Sequence, residues 1–418
     1  MQVVLGTSGF AHPGGSESYV LLMAEQLERL GHDVAIRAVD IGAMAETARE
    51  RGVRVLGPAD DTDGTPDALL VQDAPSAYEL AERWPGVPQV FRACSDVHDF
   101  QLPPEEPGIV ACVVALSDRV AARIRATAAR HEVVRLRHPV DVRRFAPLRP
   151  IRERPRRAVV LGNYLDGERL EALTASWAGE GIECVRVGGA TATLSPELAI
   201  NDADIVVGKA RVAIEAMACG RAAYVYDFAG RDGWVTPERY PAMEADNFAG
   251  MATGLGIDGA ALAAELAGYD ARMGDVNRDL AVRHHHAARH AEALVDLFRR
   301  LAPAGARAGA TLGELARLGR RQWAAERDAM SVRRELGRAA ADRDARERVL
   351  IDERDTAVAA YDAAAAEREL FRTDRDAWQA RAVAAEHDAE AARALLATRR
   401  VRAALATGRI ADLVRGRS

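Results

Sequence analysis

Two stretches of this chain, residues 1–140 and 158–226, alternate short apolar runs with amphipathic ones, and this alternation limits the fold more than any other feature. Residues 3–5 read as a strand. A Gly-rich loop covers 6–15, and Ser16 and Glu17 open a helix whose apolar residues Val20, Met23, Leu27 and Leu30 recur at three- and four-residue steps. Gly31 stands where a glycine ends a helix in the left-handed conformation. Strand 34–39, helix 42–51, strands 53–57 and 68–72, helix 75–83 and strand 87–91 follow. The apolar run 110–116 leads to Ser117, which caps a helix reaching about residue 128. The segment 146–157, rich in Pro and Arg, reads as a linker. The pattern then restarts with strand 158–162, helix 167–179, strands 183–187 and 204–207, helix 210–219 and strand 222–226, and a helix over about 276–301 closes it. Strands alternating with helices imply parallel sheets with helices on both faces.

The remainder is different in kind. Between Arg338 and Thr407 there is neither glycine nor proline, and Ala, Arg, Glu and Asp dominate. A helix of roughly 70 residues would extend roughly 105 Å, too long to fold into a small core unbroken. Its apolar residues are sparse but spaced by seven from Ile351 to Val358 and from Phe371 to Trp378, while Arg-Asp pairs recur at 327, 343, 354 and 375. This predicts a coiled coil over 310–400 that joins copies of the chain or a partner coiled coil. A single solvated helix held by charge pairs four residues apart would carry the same composition.

Composition narrows the function classes. A net charge of −6 gives no basic excess for nucleic acid. Cys94, Cys112, Cys184 and Cys219 are scattered through apolar segments without a C-x-x-C pair, so neither a disulfide framework nor a zinc site is indicated. The chain opens on a strand-like run rather than a basic, apolar leader, and no run approaches the roughly 18 apolar residues of a membrane span. A reduced cytoplasm is the expected compartment. The Arg-rich end (Arg399, Arg400, Arg402, Arg409, Arg415 and Arg417 against Asp412) has the charge for weak contact with an anionic membrane surface.

Two loops carry candidate chemistry. The first, 6–17, feeds a helix N-terminus, where backbone N–H groups and the helix dipole favour an anion. It lacks the G-x-G-x-x-G pattern, and by itself it also reads as a plain turn. The second is Gly208-Lys209-Ala210-Arg211 before the helix that holds Glu215. Of the 56 basic side chains only Lys209 is a lysine. Cations at a helix start conflict with the dipole unless an anion is bound there. Glu215, on an otherwise apolar helix, either accepts hydrogen bonds from a ligand or pairs with Arg211 one turn earlier. His286 and His290 fall four apart on a helix, but nothing nearby completes a metal site. Asp227 to Glu238 follows a strand at the edge where doubly wound sheets bind ligands.

The segment Glu215-Ala216-Met217-Ala218-Cys219-Gly220 resembles the second half of the Glu-x7-Glu signature of retaining family-4 glycosyltransferases of the GT-B fold. Gly14-Gly15-Ser16-Glu17 with the helix to Gly31-His32-Asp33-Val34, His98-Asp99, Val114-Ala115-Leu116-Ser117 and His138-Pro139-Val140-Asp141 through Phe145-Ala146-Pro147 agree in order with further stretches of that family, over about residues 1–300. The first Glu of the pair would fall at Val207, and Asn163 stands where the family has an Arg that contacts the donor diphosphate.

The resemblance implies α/β architecture with two Rossmann-like domains facing a cleft, 1–148 on the acceptor side and 149–302 for the nucleotide sugar, followed by a helical tail over 303–418. It implies retaining transfer from a nucleotide-sugar donor to a sugar or glycan acceptor, such as a polysaccharide precursor, with no metal and no other cofactor. Glu215 would bind the ribose, and Gly208, Lys209 and Arg211 would hold the diphosphate. Gly14 and Gly15 would let the backbone approach donor and acceptor, and His98 would touch the transferred sugar. Val207 and Asn163 also fit another reading, a degraded glycosyltransferase-like head on an oligomerising rod that serves assembly. An epimerase would share the fold but not the His138–Pro147 junction.

Overall fold

A computed structural model describes residues 1–95, 98–127, 130–162, 165, 167–188, 191, 193–255, 259–301, 312–399 and 402–403. Asn163 and the Arg-rich end beyond 403 lie outside the described residues, as does Arg400. The described chain divides into two units, Met1–Arg333 and Arg334–Ser418.

The first unit is built on two sheets. In chain order the first comprises β1 (Gln2–Phe10), α1 (Gly15–Arg29), β2 (Asp33–Ile41), α2 (Ala43–Glu50), β3 (Arg54–Leu56), β4 (Ala68–Val71), α3 (Ala74–Arg83), β5 (Gln89–Ala93), β6 (Cys112–Ala115), α4 (Asp118–Thr127) and β7 (Glu132–Arg135). Its strands lie in the order β3-β2-β1-β4-β5-β6-β7, all parallel. Val3, Leu5 and Ile36 face α1 and α2 on one side, and Val4, Leu69 and Phe91 face α3 and α4 on the other, so the central strands bury apolar side chains on both faces. The chain order reverses between β1 and β4, the switch point at which such sheets open a crevice.

The second sheet follows with β8 (Arg157–Leu161), α5 (Gly167–Gly179), β9 (Glu183–Val187), α6 (Pro196–Asp202), β10 (Ile205–Gly208), α7 (Arg211–Ala218), β11 (Ala222–Asp227), β12 (Gly230–Trp234), α8 (Tyr240–Ala245), α9 (Gly259–Leu266) and α10 (Met273–His284). The order is β12-β11-β10-β8-β9, parallel except for β11 with β12. Its switch point lies between β8 and β10. Val207 is buried in β10 among Trp177, Tyr224 and Trp234.

Three features depart from the sequence expectations. First, α1 starts at Gly15 with Gly14 as its cap, one residue ahead of Ser16, and no side chain caps it. Second, β12 runs through Gly230-Arg231-Asp232-Gly233-Trp234, within the segment 227–238 to which the sequence pattern assigns no element. Its charged side chains are buried beside polar partners, where Asp232 Oδ1 accepts from Thr253 N at 2.8 Å and Arg231 lies 3.6 Å from Glu265. Third, the helix expected over 276–301 is two helices. Val140 N donates to His285 O at 2.7 Å and Ala287 N donates to Val140 O at 3.0 Å, which interrupts the helix between α10 and α11 (Ala287–Arg300). His286 then caps α11 by accepting from Ala288 N. Helix α11 packs its Ala291, Leu294 and Phe298 into the core of the first sheet, so the chain ends its second half by returning to the first.

Helix α12 (Leu312–Ala397) spans 86 residues. Within the first unit its opening turns are docked: Leu312 and Ala316 are buried, Trp323 stacks on Phe100 at 4.7 Å, and Arg320 pairs with Glu79. Beyond Arg334, in the second unit, Leu336, Val358, Tyr361, Phe371 and Trp378 are all exposed. Three of the four recurrent Arg-Asp pairs bond within the dipeptide, at 3.5 Å for Arg343–Asp344, 2.7 Å for Arg354–Asp355 and 2.9 Å for Arg375–Asp376. Among the described residues, no helix is long and apolar enough to cross a membrane.

Candidate functional site

The two switch points meet across one cleft of about 280 Å³. On the first-sheet side, Asp73 caps α3 through Ser76 N at 2.8 Å and also accepts from Ser8 N at 2.8 Å and Ser8 Oγ at 2.7 Å. That buried carboxylate ties the end of β1 to α3 and so aims the following loop at the start of α1. Gly14 and Gly15 line the cleft there. A Cβ on Gly14 would come within 2.2 Å of Glu17 Oε2, so the glycine is required for Glu17 to fold back over the helix end.

On the second-sheet side, β10 turns into α7 over Lys209 and Ala210. Gly208 itself lies under the cleft rather than along it. A Cβ there would sit 2.4 Å from Val212 Cγ1 and 2.9 Å from Leu161 O, so only glycine lets β10 pass between β8 and α7. Ala210 takes φ +48°, a conformation costly for a residue with a Cβ, and is held by its N–H donating to Phe248 O at 2.9 Å. This turn directs Lys209, Arg211 and Glu215 into the cleft.

Glu215 is almost fully buried. Its Oε1 lies 3.3 Å from Arg211 Nη1, and its Oε2 is buried with no hydrogen-bond partner. Burial raises its pKa above the ordinary carboxylate value, and Arg211 and Arg144 only partly offset this. The predicted pair with Arg211 therefore exists, but inside the protein rather than on its surface. Lys209 Nζ stands 3.3 Å from Asp227 Oδ1 and 4.2 Å from the centre of the Phe228 ring. Burial raises Asp227 too, against the pull of Lys209.

The structure adds residues to which the sequence assigned no role. His138, in the crossing between the sheets, lines the cleft with its Nδ1 buried and without a partner. Burial, then the charges of Arg92 and Arg211, push its pKa well below the ordinary value, so the ring is neutral. Asp141 lies beside it. Burial would raise this carboxyl, but the N–H groups of Arg143 and Arg144 and the Arg29 guanidinium at 3.2 Å outweigh that and hold it low. Arg144 reaches Glu197 at 2.8 Å. The block from His138 to Phe145 was visible as a junction. The direction its side chains take depends on how the two sheets sit, which no local pattern encodes.

His98 does not line this cleft; its ring stands edge-on to Trp323 at 5.3 Å. His290 spends its nitrogens on Tyr19 Oη at 2.9 Å and Arg137 O at 2.9 Å. No group of His, Cys, Asp and Glu among the described residues could hold a metal ion.

Two Rossmann-like halves opening onto a shared cleft constitute the GT-B arrangement. No protein-family model matches the chain, and no curated protein matches it in sequence. Solved structures similar to it include HepE of Anabaena in complex with UDP and glucose, 12% identical, with a TM-score of 0.48, covering 72% of this chain and 100% of that one. A sucrose-phosphate synthase of Thermosynechococcus elongatus is 14% identical with a TM-score of 0.45, over 72% and 98%. An α-glucosyltransferase in complex with UDP and DNA is 10% identical with a TM-score of 0.49, over 72% and 100%.

Proposed function

We propose that this chain transfers a glycosyl group, with retention, from a nucleotide-sugar donor to a sugar or glycan acceptor in the cytoplasm. The observation that supports this best is the carboxylate of Glu215, buried in the cleft wall with one oxygen left unpartnered. An orphaned buried acceptor is costly unless a ligand supplies the donor, and vicinal ribose hydroxyls are suited to a carboxylate. Lys209 and Arg211, one turn away at the start of α7, would hold the diphosphate. As the bond from the anomeric carbon to the diphosphate oxygen breaks, negative charge grows on that oxygen. Two fixed cations and the α7 dipole stabilise it without a metal. The neutral His138 offers a hydrogen bond to the transferred sugar from the opposite wall. In this reading residues 1–148 take the acceptor and 149–302 the donor. A panel of nucleotide sugars tests it by thermal shift: a donor at about 100 times its Kd stabilises by roughly 2.7 kcal/mol, and a chain that no donor stabilises does not have this function.

Val207 favours a second reading. It puts a buried apolar side chain where the resembled family has an acid, and α12 exposes Phe371 and Trp378 seven residues apart. A head without transferase activity, assembled through α12 with a second copy of the chain, would need neither acid nor donor. The same panel separates the two readings.

A further inference from the structure

The chain crosses between the two sheets twice, after β7 and at the α10–α11 break, and the hydrogen bonds of Val140 with His285 and Ala287 tie the crossings together. After β7, His138 lines the cleft, while Arg135, Leu136 and Arg137 line a separate cavity of about 460 Å³ with Glu244, Arg283 and Arg289.

This second cavity is electropositive. Its two carboxylates are already engaged: Glu244 takes Arg135 at 2.6 Å and Arg137 at 3.2 Å, and Asp118 takes Arg135 at 3.1 Å. Arg283 and Arg289 are thereby left with none of the cavity's negative charge. Arg289 also stands in the first turn of α11, which contains no acidic residue, so its cation opposes the helix dipole. Its Nη2 donates to Val282 O, which keeps the guanidinium across the helix break. His284, between them, is held below the ordinary histidine pKa by burial and then by Arg137 and Arg283. A bound anion would relieve all of these conflicts together. Planar guanidinium groups that converge on one cavity suit phosphate oxygens.

We propose that this cavity at the interdomain crossings is a second ligand site, distinct from the cleft, and that it binds a phosphate-bearing anion. Calorimetric titration of the full chain with pyrophosphate tests it. To take the cleft out of the measurement, the chains carry Lys209→Ala and Arg211→Ala. Pyrophosphate should still bind, and adding Arg283→Gln with Arg289→Gln, both exposed and so replaceable without unpacking a core, should weaken it by at least about tenfold. Absence of binding, or a smaller loss, overturns the proposal. A reading that needs no cleft substitution is the His284 imidazole resonance of the otherwise unaltered chain, assigned with His284→Gln. Pyrophosphate should move it, and a resonance that stays put at saturation overturns the proposal equally. Vesicles of phosphatidic acid, titrated beside pyrophosphate, identify the source: binding to free pyrophosphate alone means a soluble phosphorylated compound, and binding to both means that a lipid headgroup is also accepted.

Discussion

Lys209 Nζ stands 3.3 Å from Asp227 Oδ1 at the mouth of the cleft. The lysine is thus drawn against a buried carboxylate whose own pKa burial raises, and it lies over the face of Phe228. In the proposed complex a diphosphate competes with Asp227 for the ammonium. Asp227 then acts as a stand-in that keeps Lys209 at the start of α7 in the free protein, where a strained Ala210 fixes the turn.

Removing the ammonium should cost activity rather than fold. Lys209→Ala is expected to lower kcat/KM by about 10²–10³, the usual loss for one placed electrostatic stabiliser. Lys209→Arg should recover only part of it, since a planar fork does not replace a point charge. Amine-reactive labelling checks the geometry independently, because the only other amine is the N-terminus. Nucleoside diphosphate should slow labelling of Lys209, and an unchanged rate at saturation would remove it from the site.

Glu215→Gln should separate stability from binding. Burial raises the folded-state pKa of Glu215, so the stability linked to its neutral form is complete below the ordinary glutamate value and is lost as pH rises through the raised one. Gln cannot ionise, so the variant should melt higher than wild type at neutral pH, with the advantage vanishing in acid. Donor affinity should fall about tenfold, the worth of a hydrogen bond to a charged group. Melting curves across pH together with calorimetry check both. A variant that binds donor as wild type does would take Glu215 out of the site.

Truncation should reveal where the head ends. A chain stopped after Arg333 keeps the docked turns of α12, whereas one stopped after Leu301 loses Leu312, Ala316 and the stacking of Trp323 on Phe100. The shorter chain should be less stable to urea by at least about 2 kcal/mol, from burial of one leucine alone. Equal midpoints and slopes for the two would mean that these contacts contribute nothing.

The rest of α12 should set the oligomeric state. Light scattering is expected to give the full chain a higher stoichiometry than the chain ended after Arg333, and Phe371→Ala with Trp378→Ala should lower it toward that of the truncated chain. Equal masses throughout would leave α12 a solvated single helix, with its Arg-Asp pairs satisfied within each dipeptide.

What the amino-acid sequence determined by itself is whatever repeats over a few residues. Apolar runs alternating with amphipathic ones define most of the strands and helices of the two sheets, a long stretch without glycine or proline defines α12, and Gly208 before a helix marks the second loop. These features follow from side-chain periodicity and backbone sterics, which act locally. Tertiary structure decided the rest. It breaks one apparent helix at His285 because Val140 claims the backbone groups there, and it buries Arg231 and Asp232 of β12 beside partners distant in sequence. It also brings His138 into the same cleft as Glu215, and it turns His98 onto Trp323. Each of these outcomes depends on a hydrogen bond, a charge or a packed surface contributed by residues tens to hundreds of positions away, and no local pattern carries that information.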